Sequence, residues 1–317
     1  MSRLPRMSRF ATIDVGSNSV LLLVAERTPE GRFEAVRERA EITRLGRGVD
    51  ATRKLSAEGM EATLQVLESF AREARELGAE GIAVSATSAA RDAENGAEFL
   101  AAAKARANVT VEIISGAMEA ELSFAAVHSD FASDAAGPLL VLDIGGGSTE
   151  FIYGNRGGHV DFRHSFDVGA VRMTERFVGA DPMTSEDRAR VEAHLRDTFR
   201  ALPAPPPGAA LVGVAGTVTT LYAVQHAIHP YVAEQVHGGT LSVGQLSALA
   251  DRLCAMPLEA RRALPGMQPK RADVIPAGAL ILLESVKALG LDACRVSDRG
   301  LRWGLLAHRF GAGATSS

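Results

Sequence analysis

An internal repeat constrains the fold of this chain more than any other feature. FATIDVGSNSVLLLVAE (residues 10–26) is an apolar run, an Asp-x-Gly turn and a second apolar run, and LLVLDIGGGSTEFIYG (residues 139–154) has the same design. An offset of 129 residues superposes Asp14 on Asp143, Gly16 on Gly145 and Ser19 on Ser148. Each copy predicts a β-hairpin that turns at a glycine.

A second matched pair follows in the same order. GIAVSATSAA (residues 81–90) resembles LVGVAGTVTT (residues 211–220), and an offset of 130 residues places Thr87 on Thr217. Each segment predicts a buried strand, a turn of small residues and then a helix. Two pairs at nearly one offset indicate that the chain arose by duplication.

Helical spacing connects the two parts of each copy. Residues 55–77 have helical periodicity with charges spaced by four, and residues 185–202 have a comparable pattern that ends at the Pro-rich loop PAPPPG. The predicted strands are apolar on both faces, as in a sheet that is covered by helices. We therefore expect an α/β fold with two lobes that face each other across a central cleft.

Composition excludes several classes of protein. The 317 residues are 46% hydrophobic and carry a net charge of −4, which does not favour binding to a nucleic-acid polymer. The two cysteines, Cys254 and Cys294, indicate neither a disulfide scaffold nor a zinc site and favour a reducing compartment. MSRLPRMSRF lacks an apolar stretch long enough for a signal peptide, and the run at residues 20–25 is too short to span a membrane. We expect a cytoplasmic protein without membrane contact.

The two hairpin turns are candidate phosphate-binding loops, because glycine lets backbone amides approach phosphate oxygens closely. Their residues are Gly16, Ser17, Asn18 and Ser19 in the first copy and Gly145, Gly146, Gly147 and Ser148 in the second. Asp14 and Asp143 open the loops and could hold Mg²⁺ directly or through water. A plain hairpin turn is the alternative for either loop alone. The chain contains no Gly-x-x-x-x-Gly-Lys-Ser/Thr motif, and a strand rather than a helix follows the second loop, which excludes a P-loop and a Rossmann fingerprint.

Eight blocks give the chain a specific resemblance to a known family. They are DVGSNS, ATSAARDAENG, SGAMEAEL, DIGGGSTE, GAVR, GVAGTVTTL, RADVIPAGALIL and VSDRGLRWGLL, in order from about residue 13 to residue 306. Together they resemble the exopolyphosphatase / guanosine pentaphosphate phosphohydrolase (Ppx/GppA) family, in its short two-domain form. The resemblance implies two actin-like (ribonuclease H-like) lobes of the superfamily that includes sugar kinases and Hsp70. We expect residues 1–128 plus about 296–317 in one lobe and residues 129–295 in the other.

The resemblance also implies an activity. It implies hydrolysis that depends on Mg²⁺, or on Mn²⁺ in its place, and that removes terminal phosphate from inorganic polyphosphate. The alternatives are a guanosine pentaphosphate phosphohydrolase, an actin-like ATP-binding module with little turnover, and a kinase that runs in reverse on the same fold. A homodimer is a further expectation from the resemblance alone.

Acidic side chains are assigned roles on the same basis. Glu119 lies in the segment that resembles the family's catalytic-base motif, with Glu121 as the fallback; both could instead favour a helix N-terminus and face solvent. By resemblance, Asp143 and Glu150 match acidic residues of the family's active site. Glu150 is therefore assigned to catalysis and to the metal, and Asp14 and Asp143 to the metal.

Basic and small residues complete the predicted site. Arg91 is assigned to phosphate by the family pattern, with an ion pair to Asp92 or Glu94 as the alternative, and Arg172 is argued in the same way. Gly216 and Thr217 are assigned to phosphate at a helix N-terminus, although Thr217 could cap that helix without a ligand. Lys270 and Arg271 could extend the cationic track, but exposed basic pairs are usually only solvated.

Overall fold

The computed structural model describes residues 8–311, which form two compact units. Unit 1 contains residues 8–122 and 301–311 of this range, and unit 2 contains residues 123–300. Each unit has its own mixed β-sheet and its own hydrophobic core.

The sheet of unit 1 has the strand order β3-β2-β1-β4-β5. Its strands are β1 (Arg9–Val15), β2 (Ser19–Arg27), β3 (Phe33–Ile42), β4 (Ala79–Ala86) and β5 (Val111–Ile113). Strands β1, β2 and β3 are antiparallel neighbours, whereas β4 is parallel to β1 and β5 is parallel to β4. The first repeat motif therefore forms the central hairpin, as the sequence predicts.

The sheet of unit 2 repeats this plan and adds one strand. Its strands are β6 (Leu139–Ile144), β7 (Thr149–Gly154), β8 (Val160–Phe166), β9 (Ala210–Val214), β10 (Thr240–Ser242) and β11 (Ala293–Val296). The order is β10-β11-β9-β6-β7-β8, with β6, β7 and β8 antiparallel and β9 parallel to β6. The matching strand order confirms the repeat that the sequence indicates, and the fold is two α/β units.

Helices follow the strands in both units. Those of unit 1 are α1 (Val49–Thr52), α2 (Ala57–Glu76), α3 (Ser88–Asp92), α4 (Gly96–Ala107), the first part of α5 (Gly116–Phe131) and α13 (Leu301–Phe310). Those of unit 2 are α6 (Ala170–Phe177), α7 (Ser185–Phe199), α8 (Ala215–Gln225), α9 (Ala233–Val236), α10 (Val243–Ala255), α11 (Leu258–Arg262) and α12 (Ile275–Ala288). No helix within residues 8–311 is both long and apolar enough to cross a bilayer.

Local sequence signals account for the two long helices that the periodicity predicts. Helix α2 begins after Ser56, whose hydroxyl accepts the Gly59 amide, and α7 begins after Thr184, whose hydroxyl accepts the Asp187 amide. Helix α2 buries an apolar stripe against its sheet, whereas α12 is buried on nearly every side and forms the centre of the unit 2 core. These packed layers fix the strand ends that carry the candidate site.

Candidate active site

The first glycine loop is the turn between β1 and β2. The Gly16 amide donates to the Ser19 carbonyl at 2.9 Å, and a Cβ on Gly16 would lie 3.1 Å from that oxygen. The amides of Ser17 and Asn18 donate to no acceptor within residues 8–311, and the buried Asn18 Nδ2 has no acceptor there either. Consecutive amides left over in a tight turn form an anion-binding concavity.

The residues that follow β3 hold this loop from its carbonyl side. Two amides, those of residues 43 and 44, donate to the Asn18 carbonyl at 3.1 and 3.0 Å, and the Gly46 amide donates to the Ser17 carbonyl at 2.7 Å. The Ser17 and Ser88 hydroxyls lie 2.8 Å apart, which ties the loop to α3. These contacts occupy the carbonyls of the loop, and the amides of Ser17 and Asn18 stay available to a ligand.

The second glycine loop, between β6 and β7, has the same closing bond. The Gly145 amide donates to the Ser148 carbonyl at 3.0 Å. The amides of Gly146, Gly147 and Ser148 donate to no acceptor within the described part of the chain. Three such amides make this loop the richer anion site of the two.

The start of α6 supports the second loop. The amides of residues 170, 171 and 172 donate to the carbonyls of Gly145 and Gly146 at 2.9–3.1 Å, and the Arg172 Nε donates to the Gly147 carbonyl at 2.7 Å. Arg172 is buried, and its Nη2 also lies 3.8 Å from Asp167 Oδ1. Arg172 therefore positions the loop, and its direct contact with phosphate stays a prediction.

Two carboxylates flank the second loop. Asp143 at the end of β6 is directly opposite Glu150 on β7, and the two are 6% and 0% exposed. Opposite residues on antiparallel strands have Cβ atoms about 4.5–5.5 Å apart, and like charges at that separation repel. Burial of two carboxylates at this separation favours a proton or a cation between them.

A serine hydroxyl holds each of these carboxylates. Ser123 on α5 donates to Asp143 Oδ2 at 2.6 Å, and Ser165 on β8 donates to Glu150 Oε1 at 2.6 Å. Burial raises the pKa of Asp143 above its ordinary value, and the Ser123 hydrogen bond offsets this in part. Each hydrogen bond fixes the orientation of its carboxylate, because one of the two oxygens must face the serine.

The residues of the second loop fit Mg²⁺. Asp143 Oδ1 receives no hydrogen bond from the described residues, and carboxylate oxygens are the ligands that this hard cation prefers. No group of three or more His, Cys, Asp or Glu side chains within residues 8–311 is arranged to hold a metal. Mg²⁺ commonly binds through one or two carboxylates, with waters and substrate phosphate completing its octahedron, so a pair is sufficient.

The remaining metal candidate, Asp14, has a different neighbour. Asp14 is buried at the end of β1, and the residue opposite it on β2 is Leu21. The register therefore places no second carboxylate across the hairpin of unit 1. A metal role for Asp14 stays a prediction.

Glu119 is buried near the start of α5 rather than solvent-facing. Its Oε2 lies 3.5 Å from Arg91 Nη1, which also donates to the Ile114 carbonyl at 3.1 Å. Arg91 Nε is 3.9 Å from Asp92 Oδ1, so the predicted alternative ion pair is present as well. The contacts hold Arg91 beside Glu119, whereas its binding of phosphate stays a prediction.

The strand–turn–helix of unit 2 differs from expectation at one residue. Helix α8 begins at Ala215, its N-cap is Val214 without a side-chain hydrogen bond, and Thr217 is buried within the first turn. The prediction that Thr217 could cap this helix is therefore wrong, because the helix starts two residues earlier. Ala215 adopts a left-handed φ of 67°, a strained conformation that is often found at functional sites.

Arg271 lies against Gly216 and is the main residue that the sequence misjudges. It is 6% exposed, whereas its neighbour Lys270 is exposed as expected for a solvated basic residue. A Cβ on Gly216 would lie 2.5 Å from both Arg271 Nη atoms, so any larger residue there would displace the guanidinium. Within residues 8–311 the guanidinium meets no carboxylate, its Nε has no acceptor, and Gln268 Oε1 is 3.4 Å away. Burial lowers the pKa of Arg271 to about 10.

A buried guanidinium at a helix N-terminus, without a protein anion, is suited to bind a phosphate. The signal that could have found Arg271 is its place in the RADVIPAGALIL block. Ser123 and Ser165 carry no comparable signal, because their importance depends on which carboxylate they reach in the fold.

A family model matches most of this chain. The model described as the Ppx/GppA phosphatase family matches residues 23–311. "Exopolyphosphatase 2" of Mycobacterium tuberculosis is 36% identical over 315 aligned positions, which cover 94% of this chain and 98% of that protein.

Solved structures agree with this match. The Aquifex aeolicus member of the Ppx/GppA protein family superposes with a TM-score of 0.78 at 34% identity and covers 95% of this chain and 96% of its own. An exopolyphosphatase from Cytophaga hutchinsonii superposes with a TM-score of 0.85 at 28% identity and covers 98% of this chain and 100% of its own. Both similarities therefore cover at least 95% of this chain.

Proposed function

This chain belongs to the Ppx/GppA phosphatase family, and from that premise we propose that it is an exopolyphosphatase, a hydrolase that releases terminal phosphate from inorganic polyphosphate. The observation that carries the proposal is the second glycine loop, where three amides without acceptors lie beside a buried carboxylate pair. Phosphoryl transfer requires positioning and charge neutralisation more than covalent chemistry, and these groups supply both.

The proposed roles follow from the surroundings of each residue. The amides of both glycine loops and the buried Arg271 bind phosphate oxygens. Glu119 accepts a proton from the attacking water as the oxygen of that water bonds to the terminal phosphorus. The bridging P–O bond breaks, and its electron pair stays on the oxygen of the shortened chain.

We propose Mg²⁺ as the cofactor, held by Asp143 and Glu150, with Mn²⁺ as a substitute. When bound, the ion neutralises charge on the phosphate oxygens during transfer. Ser123 and Ser165 keep the carboxylates in the orientation that this requires.

We also propose that the enzyme works in the cytoplasm as a homodimer. The thiols of Cys254 and Cys294 are free and buried, which supports a reducing compartment. The dimer rests on the family resemblance, and light scattering coupled to gel filtration tests it.

A phosphate-release screen tests the activity. Polyphosphate, guanosine pentaphosphate and ATP are compared with and without Mg²⁺. We expect the highest kcat/KM with polyphosphate and no phosphate release in EDTA. Added ADP should not stimulate consumption of polyphosphate, as it would for a kinase that runs in reverse. Preference for guanosine pentaphosphate would replace the assignment, and tight ATP binding without release would indicate a binding module.

The role of Glu119 is tested by substitution. Glu119→Gln keeps the shape but cannot accept the proton, so we expect kcat to fall by about 10²–10⁴-fold. Glu121→Gln is the matched control on the same helix and should keep kcat within about threefold. Full rate in Glu119→Gln together with loss in Glu121→Gln would transfer the role of base to Glu121.

A further inference from the structure

The segment that follows β3 connects two parts of the candidate site. At its start, the amides of residues 43, 44 and 46 hold the first glycine loop. At its end, the Arg53 carbonyl accepts the Glu94 amide at 2.8 Å, and Leu55 exchanges two hydrogen bonds with the Asn95 side chain at 2.8 and 3.0 Å. Glu94 and Asn95 lie two and three residues after the end of α3, which carries Arg91. The segment is thus anchored at both ends by residues next to predicted phosphate contacts.

This anchored segment is strongly basic in a chain whose net charge is −4. Residues 44–54 contain four cations, namely Arg44, Arg47, Arg53 and Lys54, and a single carboxylate, Asp50. The side chains of Arg47, Arg53 and Lys54 are exposed and enter no ion pair within the part of the chain that the structure describes. Three cations without protein partners on one rigid segment create a local positive potential.

The backbone of the segment carries a cost that the charges help to explain. Arg44 and Arg53 adopt left-handed φ angles of 59° and 57°. Glycine or asparagine adopts this conformation more easily, and a larger residue there costs of order 1 kcal/mol. The backbone conformation does not favour arginine at either position, so the charge of the side chain is the better explanation for it.

We propose that residues 44–54 form an additional subsite that binds phosphates of a polyphosphate chain other than the one being hydrolysed. The proposal rests on the proposed function and identifies the part of the polymer that the segment recognises. The first glycine loop binds phosphate through fixed amides, whereas Arg47, Arg53 and Lys54 attract the adjoining phosphates through charge. A long chain has many phosphates beyond the one that is hydrolysed and can supply them to this subsite, whereas tripolyphosphate has only two.

A charge-removal variant tests the subsite. Arg47→Gln, Arg53→Gln and Lys54→Gln are combined, and KM is measured for polyphosphate of several hundred units and for tripolyphosphate. We expect KM for the long chain to rise about tenfold, the sum of three modest exposed contacts, and KM for tripolyphosphate to change less than about twofold. The salt dependence of KM for the long chain should become shallower, because exposed charges are screened.

A matched control removes three exposed cations elsewhere. Arg32→Gln, Lys104→Gln and Arg252→Gln lower the net charge equally, and Arg32 lies at the end of β2 opposite to the first glycine loop. This control should leave both KM values within about twofold. The exchange Arg47→Lys, Arg53→Lys and Lys54→Arg should retain the affinity for long chains.

Three outcomes of the KM measurements would contradict the proposed subsite. An unchanged KM, an equal rise for both substrates, or an equal effect of the control variant would each reduce these cations to ordinary solvated charges. If the unmodified chain hydrolyses neither polymer, the proposed function fails instead. In that case calorimetric binding of the long chain decides the subsite: weaker binding by the triple variant supports it, and unchanged binding overturns it.

Discussion

The two glycine loops are copies of one backbone arrangement and differ in what faces the aspartate. In each loop the first glycine amide donates to the carbonyl three residues on, and the segment after the third strand of the sheet covers the loop carbonyls. In unit 2 the residue opposite Asp143 is Glu150, whereas in unit 1 the residue opposite Asp14 is Leu21. Serines on α5 and β8 hold the carboxylates of unit 2.

This difference separates two tasks that the duplicated unit could otherwise share. A hairpin with free amides and one aspartate can bind phosphate. A hairpin that adds a second buried carboxylate opposite the first can also hold a divalent cation. We infer that both copies kept the phosphate geometry and that the metal chemistry belongs to unit 2.

Exchanging the residue opposite the aspartate has the largest expected effect. Glu150→Leu gives unit 2 the residue of unit 1, and we expect kcat to fall by at least about 10³-fold, since the metal supplies several kcal/mol of charge stabilisation. Titration calorimetry should show that Mg²⁺ binding is lost. Activity within tenfold of the unmodified chain would contradict the assignment of the metal to unit 2.

The reciprocal exchange, Leu21→Glu, is the control for this experiment. A carboxylate opposite Asp14 adds repulsion of up to about 1 kcal/mol, so the thermal midpoint in EDTA should fall. Mg²⁺ should restore the midpoint, while kcat changes less than about threefold. A loss of kcat as large as in Glu150→Leu would mean that the residue opposite the aspartate does not divide the two loops.

The glycines behind the loops give a second pair of matched changes. A Cβ on Gly169 would lie 2.3 Å from the Gly146 carbonyl oxygen, and one on Gly46 would lie 2.7 Å from the Ser17 Cβ. Because the steric overlap at Gly169 is the larger of the two, Gly169→Ala should lower kcat/KM about 100-fold and Gly46→Ala about tenfold. Gly179→Ala, where a Cβ would meet nothing within 4 Å, is the control and should change neither kcat/KM nor the thermal midpoint.

The segments that contain Gly46 and Gly169 also show how much of the site the sequence could predict. The repeat predicted the hairpins and the strand–turn–helix units, because local periodicity determines them. The closing role of Gly46 and Gly169 could not be predicted, since each glycine contacts a loop more than 20 residues away in sequence. The sequence also misplaces Thr217, which lies within α8 rather than at its N-cap because the helix begins at Ala215.

The burial of Arg271 shows the same limit for a charged residue. A basic pair is exposed in most sequence contexts, and only the packing of Arg271 onto Gly216 places it inside unit 2. A substitution of Arg271 can separate its contribution to substrate binding from its effect on the free energy of unfolding.

Arg271→Met should therefore raise stability and weaken substrate binding. The folded-state pKa of about 10 lies below the ordinary 12.5, so the unfolded chain binds more protons between these values and charged Arg271 costs roughly 3 kcal/mol at all lower pH. We expect the free energy of unfolding to rise by about 1–3 kcal/mol, equally across about pH 6–9, and KM to rise about 30-fold. Phosphate should stabilise the unmodified chain and not the variant in urea unfolding.

A second buried arginine provides the control of opposite sign. Arg261 is 3% exposed but pairs with Asp181 at 2.5 Å and donates to the Ala272 carbonyl at 2.7 Å. Because Arg261 pairs with the partly exposed Asp181 and its other donors reach carbonyls, Arg261→Met should lower the free energy of unfolding by about 1–3 kcal/mol. Destabilisation by both substitutions, with an unchanged KM in Arg271→Met, would show that Arg271 is a structural residue without a phosphate role.

The smallest expected effects come from removing one hydroxyl behind each loop. Ser123→Ala deletes the bond to Asp143, and Ser88→Ala deletes the contact with Ser17. Each bond is worth about 1 kcal/mol, or roughly fivefold in an equilibrium constant. Ser123→Ala should raise the Kd for Mg²⁺ fivefold with little change in KM for polyphosphate at saturating metal, since it acts on a carboxylate. Ser88→Ala should raise KM and leave the Kd for Mg²⁺ unchanged, since it acts on amides. The chemical change is the same in both variants, so a shift of the Mg²⁺ Kd by Ser88→Ala as large as that by Ser123→Ala would mean that the metal depends on both loops alike.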